Sequence, residues 1–333
     1  MDVITADNVQ QALPEACLQM QYNAERRGSR NGAAWVLPGP LTTVYRKPCE
    51  RVLFWTQRDA NPFFHLLESL WMLAGRQDVK WIERFSSNIA NYSDDGKTFN
   101  GAYGWRWRHQ FGDDQLMTIV ARLKENKDCR RQVLSMWDGH QDLKKQKTKD
   151  VPCNVIAPIQ IDGAGRLCIT VMNRSNDLIW GAHGANAVQF SVLLEVLAGL
   201  IGVPVGTYSQ VSMNTHIYDK HWAMANALAQ HSADVFTERH AEDPYRKAEV
   251  TNYPMVTNPP TWWSDLDRFM DGATRGYGND FFPEVALPMM EAWFIFKDKQ
   301  PGRIERAQER LEQCKATDWK RAAHEWLGRR KNP

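Results

Sequence analysis

Apolar positions recur with helical spacing twice within the first 75 residues. Between residues 8 and 27, Val9, Leu13, Cys17 and Met20 fall on one face and predict a first helix. Residues 61–75 predict a second, with Asn61 as N-cap, Pro62 in the first turn and Gly75 as the stop. This second stretch is apolar nearly all round, as a core helix is. Glu68 lies inside it, where a carboxylate is costly unless it is paired or put to use. Short β-like pieces, 34–37 and 51–55, stand between the two helices, separated by prolines. Downstream, residues 77–91 predict a helix, 93–97 a turn, 114–124 an amphipathic helix and 129–137 paired arginines leading into a strand. A hairpin follows over 156–171, turning at Asp162-Gly163-Ala164-Gly165. A strongly apolar helix over 187–201 ends at Gly202 and Pro204, and a strand is predicted over 208–213. Past about residue 225 the character changes. Pro259-Pro260 reads as a linker-like break, and 283–297, 301–314 and 316–328 read as helices. Ile304, Ala307, Leu311 and Cys314 have the spacing of a face that packs on the core or on a second subunit. There is no internal repeat and no low-complexity tract.

Composition narrows this picture. A chain of 333 residues makes one large domain or two modest ones. The formal charge of +2 excludes binding of a polyanion by bulk electrostatics, so nucleic acid is not an expected partner and any anion site must be local. The cysteines at 17, 49, 129, 153, 168 and 314 form no CxxC pair, which predicts a reduced, cytoplasmic protein without a disulfide framework or a metal site. The first residues lack the basic and apolar regions of a signal peptide, and no apolar run approaches the roughly 20 residues of a membrane span. Of the 14 tryptophans, several suit a pocket for a flat ligand and more suit the core.

Three stretches carry candidate chemistry. Cys153 follows the basic segment Lys144 to Lys149 and precedes an apolar run fit for a buried strand. A thiol there, with arginines near, is available as a thiolate nucleophile; a buried structural cysteine is the alternative. Residues 26–32, with three arginines and two glycines, form a loop that either wraps a phosphate or is simply solvated. Residues 101–108 mix glycines, aromatics and arginines, as a ligand-facing loop or a packed surface turn does.

Taken in order, these pieces resemble the thymidylate synthase family, which includes the pyrimidine nucleotide hydroxymethylases. The resemblance runs from about residue 25 to 222. It rests on Glu68 with Leu70-Trp71, Tyr103-Gly104 with Trp107-Arg108, Asp128-Cys129-Arg130-Arg131, Pro152-Cys153, Arg174-Ser175-Asn176-Asp177 with Gly181, and His216-Ile217-Tyr218. It implies an α/β (α+β) fold with a large mixed, mainly antiparallel sheet at a dimer interface. A catalytic domain over 1–281 and a C-terminal helical extension over 282–333 are then expected. It also implies a pyrimidine nucleoside monophosphate as substrate and 5,10-methylenetetrahydrofolate as cofactor. Cys153 would add to C6 of the base, Glu68 would move protons and order water, and Tyr103 would help deprotonate C5. Arg174, Ser175 and Arg30 would hold the phosphate, with Arg130 and Arg131 reaching the partner's phosphate site in a homodimer. His216 and Tyr218 would contact the sugar, while Asp177, with Glu68 and Trp107, would face the folate. Asn186 is the implied base reader, since a carboxamide suits uracil where a carboxylate suits cytosine. The segment 181–186 is one residue longer than the family spacing, which leaves Ala185 as the other occupant of that position.

Three departures separate the chain from the synthases that make dTMP. Residues 87–91 (Ser-Asn-Ile-Ala-Asn) lack the family's tryptophan, Asn154 replaces the histidine after the nucleophile, and a charged helical segment stands where synthases have a short apolar closing tail. Each favours a site open to water over one sealed for hydride transfer, hence a 5-hydroxymethyl product. The expected activity is hydroxymethylation of dUMP. The alternatives are CMP or dCMP as substrate, a dTMP-forming synthase, and a non-catalytic nucleotide- or RNA-binding relative.

Overall fold

The computed structural model describes residues 1–29, 31–145, 147–232 and 242–331. Its centre is a 6-stranded mixed sheet in the order β1-β4-β9-β7-β6-β5. The strands are β1 (Asp2–Ala6), β4 (Leu41–Tyr45), β5 (Val133–Ser135), β6 (Asn154–Ile161), β7 (Leu167–Asn173) and β9 (Val205–Ser212). The β4/β9, β7/β6 and β6/β5 pairs are antiparallel, whereas β1/β4 and β7/β9 run parallel. A second, 4-stranded sheet was not expected. It joins β2 (Glu25–Ser29), β3 (Gly32–Val36), β10 (Thr215–Tyr218) and β8 (Asn176–Asp177) in the order β2-β3-β10-β8.

The helices are α1 (Val9–Asn23), α2 (Pro62–Leu73), α3 (Val79–Ile82), α4 (Tyr103–Arg108), α5 (Gln115–Glu125) and α6 (Asn186–Ile201). After them come α7 (Trp222–Ala229), α8 (Trp262–Met270), α9 (Leu287–Lys297), α10 (Arg303–Leu311) and α11 (Thr317–Gly328). Local chemistry sets their ends. Asn61 Oδ1 accepts from the Phe64 amide at 3.2 Å to start α2, and Gly202, at φ 82°, ends α6. Strand β4 buries alternate residues, as one side of a sheet does when packed on helices; β9 alternates likewise, with its buried set toward α6. The other face keeps Thr42, Val44, Thr170, Ser209 and Val211 half-buried and Met172 exposed.

Leu178–Ile201 is the one described stretch long and apolar enough to cross a membrane, and 89% of its 18-residue window is buried inside the protein. The sequence reading missed its length because two helical segments join end to end. It is the core helix, wrapped by α2, α5 and the sheet.

The C-terminal helices are not a separate body. Phe63 of α2 meets the rings of Trp293 and Trp326 at centroid distances of 5.5 and 5.8 Å, and Trp293 Nε1 donates to the Arg84 carbonyl at 2.9 Å. Ile304, Ala307, Leu311 and Cys314 are buried in the same core as α2 and α6. Truncating a core residue such as Leu66 or Leu70 there would cost about 2–5 kcal/mol.

Candidate active site

Cys153 sits one residue before β6, where the chain passes from the basic segment into the sheet. Its sulfur lies 3.8 Å from Arg174 Nη2. Arg174 is fixed at the end of β7, with Nε donating to the Pro152 carbonyl at 2.9 Å and Nη2 to the Val151 carbonyl at 3.1 Å. Its backbone N–H donates to the Cys153 carbonyl, also at 2.9 Å. A guanidinium locked to the two carbonyls just before a thiol favours negative charge on that sulfur.

Tyr103 approaches from the other side. Its phenolic oxygen accepts from the amides of Cys153 and Asn154 at 3.1 and 3.2 Å. Burial, reinforced by the nearby Cys153, pushes its pKa up, so the phenol stays neutral at physiological pH. Residues 101–108 are therefore not a loop. Residues 103–108 are helix α4, anchored by the buried pair of Arg106 with Asp142 at 2.7 and 2.9 Å, and only Gly101 and Tyr103 of the stretch face the cavity. Gly104 lets α4 approach α2 so closely that a Cβ there would stand 1.9 Å from the Met72 carbonyl oxygen. Gly104→Ala is expected to cost about 3 kcal/mol, read as a lowered denaturation midpoint, and to displace Tyr103 with loss of activity.

These groups line a cavity of about 1270 Å³ together with Ser175, His216 and Tyr218. The ring centroids of His216 and Tyr218 lie 5.1 Å apart, since residues two apart on β10 share a side. The mouth carries Arg27, Lys145, Lys147 and Lys149, so cationic side chains face the space around Arg174 and Ser175. The sequence reading overlooked the three lysines as anion ligands. The basic run was visible, but nothing in one dimension placed it opposite β2. Residues 25–29 form a strand of the β2–β3 hairpin rather than a loop. Arg30, the expected phosphate ligand of that stretch, lies outside the described residues.

Glu68 and Asn186 stand behind this wall. Glu68 is 9% exposed and accepts from Gln189 Nε2 at 2.7 Å through one oxygen, leaving Oε1 without a hydrogen bond from the described residues. Burial raises its pKa to about 7, against the smaller opposing effect of the Gln189 bond. Asn186 opens α6 with its side chain against Asn154 and Asn176. The extra residue of the 181–186 segment is taken up by a π-helical turn over Leu178–Ala185, with a kink at His183 and Gly184, and Asn186 rather than Ala185 stays in register with Asn154.

Asp177 Oδ1 caps that turn, accepting from the amides of Ile179 and Trp180 at 2.9 and 2.8 Å, while Oδ2 takes no hydrogen bond from the described residues. Burial raises its pKa against those bonds and against His216. Beside it Trp180 is 41% exposed, with the Arg58 guanidinium 3.8 Å from the centre of its ring. A carboxylate oxygen without a hydrogen bond from the described residues, beside a partly exposed indole, offers the acceptor and apolar edge that a pterin's N–H donors and ring would need.

One expected residue falls elsewhere. Trp107 is 1% exposed and packs against Phe190 at 5.8 Å, so it supports the wall from the core and does not face a folate. Arg130 and Arg131 lie just before the edge strand β5, lining a separate depression with Arg122, Asp128 and Cys129, away from this chain's own cavity.

The family model for thymidylate synthase matches residues 46–251. A Pseudomonas phage M6 protein named deoxyuridylate hydroxymethyltransferase is 52% identical over 99% of this chain and 95% of its own length. The chain belongs to the thymidylate synthase family. A like-named protein of Bacillus phage SP01 is 38% identical over 54% of this chain, which spans about half of that relative. A putative thymidylate synthase of Methanothermobacter marburgensis is 34% identical over 51% of the chain and 75% of its own length. As a member of the thymidylate synthase family, the protein is a folate-dependent transferase of one-carbon units to pyrimidine C5. The placement of Cys153 beside Arg174 provides the nucleophile such a reaction needs.

Proposed function

We propose that the protein transfers a one-carbon unit from 5,10-methylenetetrahydrofolate to C5 of dUMP and releases 5-hydroxymethyl-dUMP. One observation carries the reading: the Cys153–Arg174 pair opens into a cavity whose wall includes Asn91 and Tyr92, the latter 63% exposed, so the reacting centre has a wet flank. The name of the phage M6 relative agrees with it.

Cys153, as thiolate, adds to C6 and turns C5 into an enolate-like carbon. Bound 5,10-methylenetetrahydrofolate supplies carbon at the oxidation level of formaldehyde. Asp177 Oδ2 and Trp180 hold the pterin. Tyr103, neutral and clamped by two amides, passes on the proton leaving C5. Asn91 and Tyr92 admit the water that becomes the hydroxyl, and Glu68 takes the proton of that water. Arg27, Arg174, Ser175 and the lysines hold the phosphate, and His216 and Tyr218 hold the sugar. Atoms balance: Cys153 leaves C6 as its thiolate, dUMP gains one CH2O, its oxygen coming from water, and tetrahydrofolate is released unoxidised. A carboxamide at 186 favours uracil over cytosine. The half-exposed face of the 6-stranded sheet suits a two-fold partner, through which Arg130 and Arg131 reach the other subunit's phosphate. The reduced thiols suit a cytoplasmic enzyme.

Mass spectrometry of the nucleotide after incubation with 5,10-methylenetetrahydrofolate tests this. A gain of one CH2O on dUMP is expected, with no rise in dihydrofolate absorbance. A gain of one CH2 would make the protein a dTMP-forming synthase instead.

A further inference from the structure

Residues 58 and 59, in the turn that leads into α2, send their side chains opposite ways. Arg58 goes inward. It is 3% exposed, its Nε donates to the Ile179 carbonyl at 3.1 Å, and its guanidinium lies 3.8 Å from the centre of the Trp180 ring. Asp59 goes outward from a backbone at φ 44°, a left-handed conformation that aspartate tolerates better than most residues. Both of its carboxylate oxygens are taken by two arginines that follow α11. Arg329 Nε donates to Oδ1 at 3.0 Å, and Arg330 donates to Oδ1 at 3.3 Å and to Oδ2 at 2.7 Å. Arg330 is itself braced: it donates to the Trp326 carbonyl at 2.9 Å, with its guanidinium 3.3 Å from the centre of the Trp326 ring. Helix α11 lies outside residues 46–251, the part of the chain that matches the family model.

A buried cation is costly without a counter-charge. Among the described residues no carboxylate stands within ion-pair distance of Arg58. Burial draws its pKa down, with Asp177 and Asp59 acting against this from further off. The carboxylate next in the chain is therefore a competing partner. An Arg58 that left the indole for Asp59 would exchange a buried, unpaired site for a half-exposed ion pair, and Trp180 would lose the plane stacked on it. Arg329 and Arg330 close that route by filling both oxygens.

We propose that Arg329 and Arg330 are positioning residues for the one-carbon donor: by keeping Asp59 occupied, they leave Arg58 on Trp180, the indole that holds the pterin. The proposal rests on the reading of Trp180 as the pterin's neighbour. It adds that the indole is set by two arginines that touch no substrate, on a helix beyond the matched domain.

The test is the Kd of tetrahydrofolate, by calorimetry with dUMP present, in the full-length protein and its variants. Arg329→Ala/Arg330→Ala is expected to raise it about fivefold, the scale of one cation–π contact, with the Kd of dUMP within about twofold of wild type. Adding Asp59→Asn removes the competing carboxylate, keeps a side chain that accepts left-handed backbone, and is expected to bring the tetrahydrofolate Kd back to within about twofold of wild type. Loss of a merely structural anchor is not repaired by removing its partner. Unchanged tetrahydrofolate binding in the double variant, or no recovery in the triple one, overturns the proposal. If the double variant does not fold, Arg330→Gln, which frees Oδ2, is read by the same two criteria. Trp180→Ala separates the two levels. If it weakens tetrahydrofolate binding while the arginine variants do not, the pterin site stands and the proposal falls. If it leaves binding unchanged, Trp180 does not hold the pterin and the proposal falls with that reading.

Discussion

Cys153→Ser is expected to lower formation of 5-hydroxymethyl-dUMP at least about 10⁴-fold, the scale on which enzymes with covalent intermediates lose rate when the nucleophile is removed. A hydroxyl is not ionised near neutral pH, and one guanidinium at 3.8 Å does not close the gap between an alcohol and a thiol. In the proposed complex phosphate and sugar contacts come from other side chains, so nucleotide binding is expected to persist while chemistry stops. Two readouts check this together: chromatography of the product, and release of tritium from dUMP labelled at C5. The second reports C6 addition even where no one-carbon unit is transferred. A serine variant within tenfold of wild type in either would remove the covalent route and with it the function argued above.

Glu68→Gln is expected to lower kcat about 10²–10³-fold and to remove a limb from the pH profile. Because burial raises the Glu68 pKa to about 7, the carboxylate needed to accept a proton from water fills in between pH 6 and 8, and kcat rises with pH over that range. Stability moves the other way. With the folded-state value raised above the ordinary 4.5, the contribution of this group is fully present below about pH 4.5 and is lost as pH rises through about 7. The glutamine variant, which has nothing to ionise there, is expected to lose less stability than wild type between pH 5 and 8. Denaturant titrations at the two pH values give the slope. A variant that kept the rising kcat limb would assign it to another group.

The helices of this fold were legible wherever an apolar period met a cap. Asn61 with Pro62, Asp114 before α5, and Gly202 after α6 mark ends that the structure reproduces within a few residues. The strands were less so. β2 is exposed at every position, so no alternation marks it, and its arginines and glycine read as a loop. Residues 51–55 have strand-like composition but form no strand, because Arg51 is buried in an ion pair with Glu195 and Val52 donates to Tyr245. The short helix α4 hid among glycines and aromatics, whose pattern fits a turn equally well, and its defining contact is the remote partner Asp142. At the site, residue type picked out Cys153, Arg174, Tyr103 and His216, and the structure brings these four to one cavity. Trp107 was misread because its identity fits a stacking platform and a core filler alike, and only packing against Phe190 tells them apart. The cationic side chains across from Arg174 were out of reach for a related reason: β2 and the 145–149 segment meet only in three dimensions.

The widened turn ahead of α6 bears on how such chains diverge. Because the surplus residue swells locally at His183 and Gly184, everything after it keeps its phase against the sheet. A gene can thus gain or shed a codon in this stretch without unseating the Asn186 amide. Length variation between relatives here should therefore be neutral for substrate choice, and counting positions forward from Gly181 will misassign that amide where counting back from Gly202 will not.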